Sequence, residues 1–318
     1  MTKMTRRESL VLLSGTLLSG CNSKFFSPTA PSITPESGLI RVDTPEGEIG
    51  WSPYLVVQPD ATVLEGYKKA LMEMKARGNV RGVRIPLNSF RDPVVEMVSS
   101  LGLEMIGIIS NEELLGPNPK AVIDHYVATF PDMRVLQIGN EVSTLPNTKK
   151  VTVEQYMDAF KKIYDHVQSR YPSLILMTQS TFGSGYQGSN ELKRMVDLGL
   201  NPNNFSNQKI IVGINVYTEV AFNEYVSTRN EFLSGYRFWV MESGTLNPAE
   251  HISKVRNFYP RLATALSAER IYWYALWATD DDPEHAGYSL IKHPRFQNQM
   301  TYSPLGQALV GVQGGIVK

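Results

Sequence analysis

Cysteine is almost absent from this chain of 318 residues, and the single one, Cys21, lies near the N-terminus. The remainder of the chain therefore cannot form an intramolecular disulfide, a thiolate zinc site or a cysteine nucleophile. An excess of charge is absent too, because 31 Lys and Arg residues balance 31 Asp and Glu residues. A chain without net charge is a poor match for a phosphate backbone, so we expect no nucleic acid partner.

Phosphate-binding signals are missing where they would be expected. No G-x-G-x-x-G follows the first predicted strand, and the chain has no Walker sequence.

What the sequence does contain is a high content of apolar and aromatic residues. Hydrophobic residues make up 42% of the chain, which is enough to bury one large core in a single compact domain. The 15 Tyr and 4 Trp residues offer flat, uncharged surfaces, which favours a neutral polar ligand such as a sugar.

The N-terminal residues have the layout of an export signal. Arg6 and Arg7 precede the apolar stretch 10–18, and two small residues separate that stretch from Cys21. The stretch is too short to span a bilayer. Its end, Leu-Ser-Gly-Cys, resembles a bacterial lipobox, which implies cleavage before Cys21 and lipidation of the new N-terminus. We therefore expect residues 1–20 to be a lipoprotein signal peptide.

A tether is expected to follow the signal peptide. Ser, Thr and Pro are frequent up to residue 37, so we assign residues 21–37 to the lipid-anchored cysteine and a flexible tether. Residues 38–318 then form one domain. The predicted protein is an exported monomer that contacts the membrane through its lipid anchor and faces the periplasm or the exterior of a bacterial cell envelope.

The domain alternates short apolar runs with amphipathic helical stretches, which is typical of a parallel α/β fold. Helices are predicted over 64–77 and 153–170. Eight runs recur at intervals of mostly about 25 to 40 residues, the period of a (β/α)8 TIM barrel. The predicted strands are Gly50–Leu55, Val80–Ile85, Met105–Ile109, Val135–Ile138, Leu174–Met177, Ile210–Val216, Phe238–Met241 and Ile271–Leu276. A doubly wound sheet is the competing arrangement, but it lacks support from a phosphate fingerprint.

Two glutamates stand at or just beyond the ends of predicted strands. Glu141 stands three residues beyond the fourth strand, and Glu242 follows the seventh strand at once. Catalytic residues of TIM barrels lie at the carboxyl ends of the strands, and burial of an ionised carboxylate there needs compensation. Strands four and seven nearly face each other across the barrel mouth. A glycosidase requires two such carboxylates on either side of the scissile bond.

These two strand ends carry a resemblance to a known group of enzymes. Asn-Glu after strand four and Glu after strand seven resemble glycoside hydrolase clan A, the retaining (β/α)8 glycosidases. The stretches 138–142 and 242–244 are most similar to glycoside hydrolase family 17, the β-1,3-glucanases, although Thr245-Leu246 replaces that family's Trp-Pro. The resemblance implies that Glu141 is the general acid/base and Glu242 the nucleophile.

Other strand ends supply candidate substrate-binding residues. Arg84 resembles the clan's arginine that keeps the nucleophile ionised, and Tyr217 resembles the tyrosine that donates to it. By the same resemblance Asn140 binds the sugar 2-hydroxyl. Asn215 lies on the strand that leads to Tyr217, and it is a further candidate substrate-binding residue.

Aromatic residues are candidates for a sugar-stacking platform. Trp277 is expected to end the eighth strand, where its face can accept the apolar face of a pyranose. Trp51 and Tyr54 follow the first predicted strand and are weaker candidates. We expect no metal and no cofactor, since two carboxylates suffice for the chemistry and the acidic run 280–285 lacks the pattern of a calcium loop.

The sequence thus predicts a retaining glycoside hydrolase acting on a β-linked polysaccharide or oligosaccharide such as β-glucan, with transglycosylation as a related outcome. Two alternatives from other classes remain open. A solute-binding lipoprotein would have two lobes and a hinge. A non-catalytic polysaccharide-binding barrel would keep the carboxylates without turnover.

Overall fold

The computed structural model describes residues 40–43, 61–77, 80, 82–87, 93–142, 151–279, 286–293 and 301–310. All of them belong to one compact unit, Ser32–Lys318. The predicted signal peptide, Cys21 and the tether lie outside the described residues, as do Trp51 and Tyr54. Among the helices that the structure describes, none is long and apolar enough to cross a membrane.

Eight parallel strands form a closed barrel in the order β1 to β8, which confirms the predicted fold. Their bounds are β1 Ile40–Asp43, β2 Gly82–Pro86, β3 Glu104–Ile109, β4 Val135–Ile138, β5 Ile175–Met177, β6 Ile210–Asn215, β7 Arg237–Ser243 and β8 Ala268–Tyr274. The described residues therefore form one barrel, in contrast to the two lobes that a solute-binding protein would have.

The predicted position of the first strand is wrong. Gly50–Leu55 lies outside the described residues, and the first strand is Ile40–Asp43, which pairs with both β2 and β8 and so closes the barrel. Its sequence alternates apolar and charged residues, whereas the predicted strands are near-continuous apolar runs. Backbone pairing with two neighbours, and not hydrophobicity, defines this strand.

The predicted end of the eighth strand is also wrong, and this displaces Trp277. β8 ends at Tyr274, and Trp277 begins β9, which belongs to a separate three-stranded sheet. The physical reason is that the chain leaves the barrel at Ala275, whose carbonyl accepts a hydrogen bond from the backbone of Leu290 at 3.1 Å. The remaining strands of this sheet are β10 Ile291–His293 and β11 Thr301–Tyr302, with β9 spanning Trp277–Thr279.

Helices connect and surround the strands. They are α1 Ala61–Ala76, α2 Pro93–Ser100, α3 Asn111–Leu114, α4 Pro119–Thr129, α5 Val153–Arg170, α6 Gln187–Asp197, α7 Glu219–Phe232, α8 His251–Ser253, α9 Tyr259–Leu266 and α10 Pro304–Val310. A 3-10 turn, Pro248–Glu250, precedes α8, and a π-helix, Lys254–Phe258, joins α8 to α9. The helix predicted at 153–170 begins at a capping box in which Thr152 and Gln155 each accept the other's backbone N–H.

The barrel interior changes from apolar to polar along its axis. Seven buried side chains fill it with hydrophobic contacts: Ile106, Val135, Met177, Ile211, Trp239, Met241 and Tyr272. On β4, Gln137 faces the same side as Val135 but lies one step closer to the carboxyl end, and buried Arg84 bonds to it. A larger apolar cluster packs the outside of the strands against the helices. The carboxyl ends of the strands are therefore where the interior becomes polar.

Candidate active site

Glu242 lies near the end of β7, buried at 7% exposure and surrounded by hydrogen-bond donors. Its Oε1 accepts from Arg84 Nη1 at 2.8 Å and from Asn140 Nδ2 at 3.4 Å. Its Oε2 accepts from the Tyr217 hydroxyl at 2.7 Å. A cation and two neutral donors stabilise the ionised form of a carboxylate, and they offset the desolvation that burial imposes.

A β-bulge explains how Glu242 comes to point into the barrel mouth. Trp239 and Met241 face the interior, so regular alternation would direct the next residue outward. In the pairing of β6 with β7, however, Ile214 is opposite Val240 and the next residue, Asn215, is opposite Glu242. The extra residue on β7 changes the direction of its side chains, as bulges beside active sites commonly do.

Arg84, on β2, fixes three side chains at once. It is fully buried, and each of its three guanidinium nitrogens donates a hydrogen bond: Nη1 to Glu242, Nη2 to Asn140 Oδ1 at 2.9 Å, and Nε to Gln137 Oε1 at 2.9 Å. A buried guanidinium is tolerated when its donors are satisfied in this way. Its rigid fork sets the position of Glu242 relative to the turn after β4.

Glu141 lies in the turn after β4 and is also buried, at 5% exposure. Its backbone adopts φ 41°, in the left-handed region that a residue with a side chain rarely occupies. The turn is held by the Glu141 N–H, which donates to Ser180 O at 2.9 Å. Asn215 Nδ2 donates to Glu141 Oε1 at 2.8 Å. Strained backbone that is fixed from several sides is typical of functional sites.

Asn215 connects the two carboxylates. Its backbone is the register partner of Glu242, while its side chain bonds to Glu141, so the two glutamates lie at the same end of the barrel. Burial raises the pKa of Tyr217 well above its ordinary value, and the negative charges of Glu242 and Glu141 both add to the increase. The Tyr217 hydroxyl therefore stays protonated and remains a donor.

The structure brings together six of the residues that the sequence singled out: Arg84, Asn140, Glu141, Asn215, Tyr217 and Glu242. It does not place Trp277 at the end of β8, and the side chain of Trp277 is not among those described. Among the described residues no three His, Cys, Asp or Glu side chains could hold a metal ion, and the acidic run 280–285 lies outside them.

Sequence reasoning missed Gln137, which is fully buried and links three parts of the site. It accepts from Arg84, and its Nε2 donates to Gly139 O at 2.9 Å and to Ser180 Oγ at 3.2 Å. A signal was available, because Gln137 is the only polar residue in the four-residue strand β4. A polar side chain at an interior position of a buried strand indicates a polar network.

Two tyrosines were also missed. Tyr274 ends β8 and is 8% exposed, and its ring lies 5.6 Å from that of Tyr288 in a T-shaped arrangement. The ring of Tyr288 lies 5.6 Å from that of Tyr217. These three rings form an aromatic wall beside Glu242. The sequence offered a signal for Tyr274, since it stands within the eighth predicted strand, but none for Tyr288.

No protein-family model matches the chain, and no curated protein matches it in sequence. Its fold is similar to that of an exo-β-1,4-mannosidase from an Opitutaceae bacterium, strain TAV5, with a TM-score of 0.53 and 10% identity, covering 86% of this chain and 58% of the mannosidase. The chain thus spans less than two thirds of that protein.

Two further solved structures are similar over most of their own length. Cellulose synthase subunit Z from Clostridioides difficile has a TM-score of 0.55 and 12% identity, covering 85% of this chain and 99% of that one. A GH128 (subgroup IV) endo-β-1,3-glucanase from Lentinula edodes has a TM-score of 0.51 and 13% identity, covering 75% and 92%. Similarities at this level of identity show a shared fold.

Proposed function

We propose that this protein is a retaining glycoside hydrolase of clan A that cleaves a β-linked glycan, with β-glucan as the favoured substrate class. The observation that carries the proposal is the pair of buried glutamates at the barrel mouth, in different hydrogen-bonding environments. Glu242 accepts from a cation and two neutral donors, whereas Glu141 accepts from the amide of Asn215. Two carboxyl groups in unlike environments are what a double displacement requires.

Glu242 is assigned the role of nucleophile because Arg84 Nη1 and the Tyr217 hydroxyl both donate to its carboxylate and hold it in place. An ionised carboxylate can attack the anomeric carbon and form a glycosyl ester, and the ester then lacks the negative charge. Glu141 is assigned the role of acid/base, since a neutral amide such as Asn215 can donate to it in either protonation state. It gives its proton to the leaving oxygen in the first step and takes one from water in the second.

Asn140 is assigned the contact with the sugar 2-hydroxyl. Its Nδ2 already lies 3.4 Å from the oxygen of the proposed nucleophile, which attacks the carbon next to C2. This contact would strengthen in the transition state. The aromatic wall of Tyr217, Tyr274 and Tyr288 offers an apolar surface to a pyranose, and so it takes the place that Trp277 was expected to fill.

We also propose that the protein is exported and held at a bacterial membrane by a lipid on Cys21, with residues 38–318 as the catalytic domain. The support is the lipobox-like sequence. A glycan outside the cell would then be the accessible substrate, and an anchored hydrolase would act beside the envelope.

The test of the proposed function is turnover by the wild-type protein on β-1,3-, β-1,4- and mixed-linked glucans, measured as new reducing ends. We expect activity on at least one of them. Glu242→Gln should abolish that activity, whereas Glu104→Gln should retain it, because Glu104 lies at the opposite end of the barrel, at the start of β3. A wild-type protein that binds a glucan without cleaving any would support the polysaccharide-binding alternative.

A further inference from the structure

Tyr217 lies beyond the end of β6, where the backbone leaves the barrel, and it is held from two sides. Its N–H donates to Gly183 O, in the loop after β5, at 2.9 Å. Its carbonyl accepts from Lys254 Nζ at 2.8 Å. Lys254 is the first residue of the π-helix that joins α8 to α9, and π-helical segments often occur at functional sites.

The surroundings of Lys254 keep its amine in place. Its Nζ lies 3.8 Å from the ring centre of Phe258, within range of a cation–π interaction. The charged groups that face it come from three elements: Glu219 of α7 and Glu250 of the 3-10 turn attract it, and Arg261 of α9 repels it. Arg261 is itself paired with both carboxylate oxygens of Glu219, at 2.6 and 2.7 Å.

Burial is the largest influence on this lysine and lowers its pKa to about 8. The folded pKa is thus below the value of 10.5 for a free lysine side chain. At pH 7 the amine is charged in both the folded and the unfolded chain, so the folded chain bears the full free-energy penalty of desolvating the charged amine. That penalty is relieved only as the pH rises from about 8 towards 10.5. Stability alone therefore does not account for a lysine at this position.

We propose that Lys254 is a positioning residue that holds the backbone of Tyr217 so that the tyrosine hydroxyl donates to Glu242. The inference rests on the proposed function, in which Glu242 is the nucleophile. Two hydrogen bonds connect Lys254 to Glu242 through Tyr217. Lys254 Nζ donates to the Tyr217 carbonyl at 2.8 Å, and the Tyr217 hydroxyl donates to Glu242 Oε2 at 2.7 Å. A displacement of about 1 Å in such an arrangement is enough to slow catalysis by up to about 10²-fold.

The test is a double-mutant cycle between Lys254→Met and Tyr217→Phe, measured on the glucan that the wild-type protein cleaves. Lys254→Met keeps the length of the side chain and removes the donor. We expect it to lower kcat by about 10-fold with little change in KM, because the nucleophile is held less well while substrate contacts persist. In the Tyr217→Phe background the same change should cost nothing further, since the hydroxyl that Lys254 positions is gone. Independent, multiplicative losses would overturn the proposal.

A matched control and a stability measurement separate positioning from folding. Lys209 Nζ also donates to a backbone carbonyl, that of Pro172, but next to the start of β6 and so at the other end of the barrel. Lys209→Met should leave kcat unchanged.

The melting temperature of Lys254→Met at pH 7 should equal or exceed that of the wild type, because a charge that burial disfavours is removed. A kcat loss that merely follows a lower melting temperature would contradict the proposal. Lys254→Gln, too short to reach the carbonyl, repeats the test with a polar side chain.

Failure of the proposed function would be visible separately, as a wild-type protein without turnover on any glycan. Crystal structures of the wild type and of Lys254→Met then decide the positioning claim without an assay. We expect the Tyr217 hydroxyl to leave Glu242 in the variant. A Tyr217–Glu242 contact that stays at hydrogen-bond length in both structures would overturn it.

Discussion

At the scale of single residues, Arg84 is the centre of the proposed site. It is fully buried and bonds to Gln137 on β4, Asn140 in the turn after β4 and Glu242 on β7, so three side chains depend on one guanidinium. A buried ion pair contributes little net stability compared with an apolar pair of the same shape, because both charges lose their hydration. We therefore interpret this pair as a means of fixing the nucleophile.

Removal of Arg84 should accordingly affect both stability and catalysis. Arg84→Met leaves the Glu242 carboxylate buried without its cation, and we expect the free energy of unfolding to fall by about 3 to 5 kcal/mol. Urea denaturation followed by circular dichroism measures this change. Turnover should also be lost.

The comparison variant is Arg194→Met, which removes an exposed partner of Glu154. Exposed pairs contribute little, so its unfolding curve should nearly match that of the wild type. Equal losses in the two variants would show that the buried network around Glu242 has no special role in the fold.

At the scale of elements, the sequence predicted seven of the eight strands to within a few residues, because their apolar runs are buried on both faces. It failed at Ile40–Asp43, where charged residues interrupt the apolar pattern. It also failed at Trp277, since nothing in the residues 271–276 signals that the chain leaves the barrel after Tyr274. Backbone pairing with Leu290, a contact between distant parts of the chain, decides that boundary.

Within the site, sequence reasoning found the side chains that resemble a known pattern. It overlooked the signals at Gln137 and Tyr274, and two further features can be assigned only from geometry. The β-bulge that redirects Glu242 depends on the register between β6 and β7. Tyr288 reaches the site from a loop outside the barrel strands. Neither is visible in local periodicity, because both depend on which segments become neighbours after folding.

The turn after β4 supplies a prediction of its own. Gly139 has φ 74°, and a Cβ there would lie 2.8 Å from Asn111 Oδ1. Asn111 bonds to both the N–H and the carbonyl of Asn140, at 3.0 and 2.9 Å, so this side chain holds the turn that presents Glu141. Gly139→Ala should therefore displace Asn111, and we expect loss of stability together with a fall in kcat.

Gly185→Ala isolates the cost of the backbone conformation. Gly185 has a similar φ of 67°, but a Cβ there meets nothing within 4 Å. Its substitution should lower the free energy of unfolding by about 1 to 2 kcal/mol, the cost of a left-handed residue with a side chain. If Gly139→Ala is no more harmful than Gly185→Ala in unfolding and in turnover, then the clash with Asn111 is unimportant.

At the scale of the whole molecule, the closed barrel separates a hydrophobic interior from a polar mouth. This division lets one domain carry both a stable core and buried charges, because the charges lie at the end where strands diverge into loops. The proposed anchor would keep this domain at the envelope.

The anchor can be tested without reference to the fold. Cys21→Ala should abolish incorporation of a radiolabelled fatty acid and leave an unprocessed precursor in bacterial cells, because the lipobox cysteine is the proposed attachment point. The matched variant Ser23→Ala, two residues further on, should be labelled normally. Labelling of the Cys21 variant at the wild-type level would refute the anchor.

The central claim is that Glu141 and Glu242 perform different steps of one double displacement. The configuration of the glycosyl azide made from an aryl β-glucoside by Glu141→Ala and by Glu242→Ala tests it most directly. The leaving group of this substrate needs no protonation, so Glu141→Ala should still form the glycosyl ester, and azide should accelerate turnover and give the β-azide with retained configuration. Glu242→Ala can at best give the inverted α-azide. A β-azide from Glu242→Ala together with an α-azide from Glu141→Ala would reverse the two assignments and contradict the account.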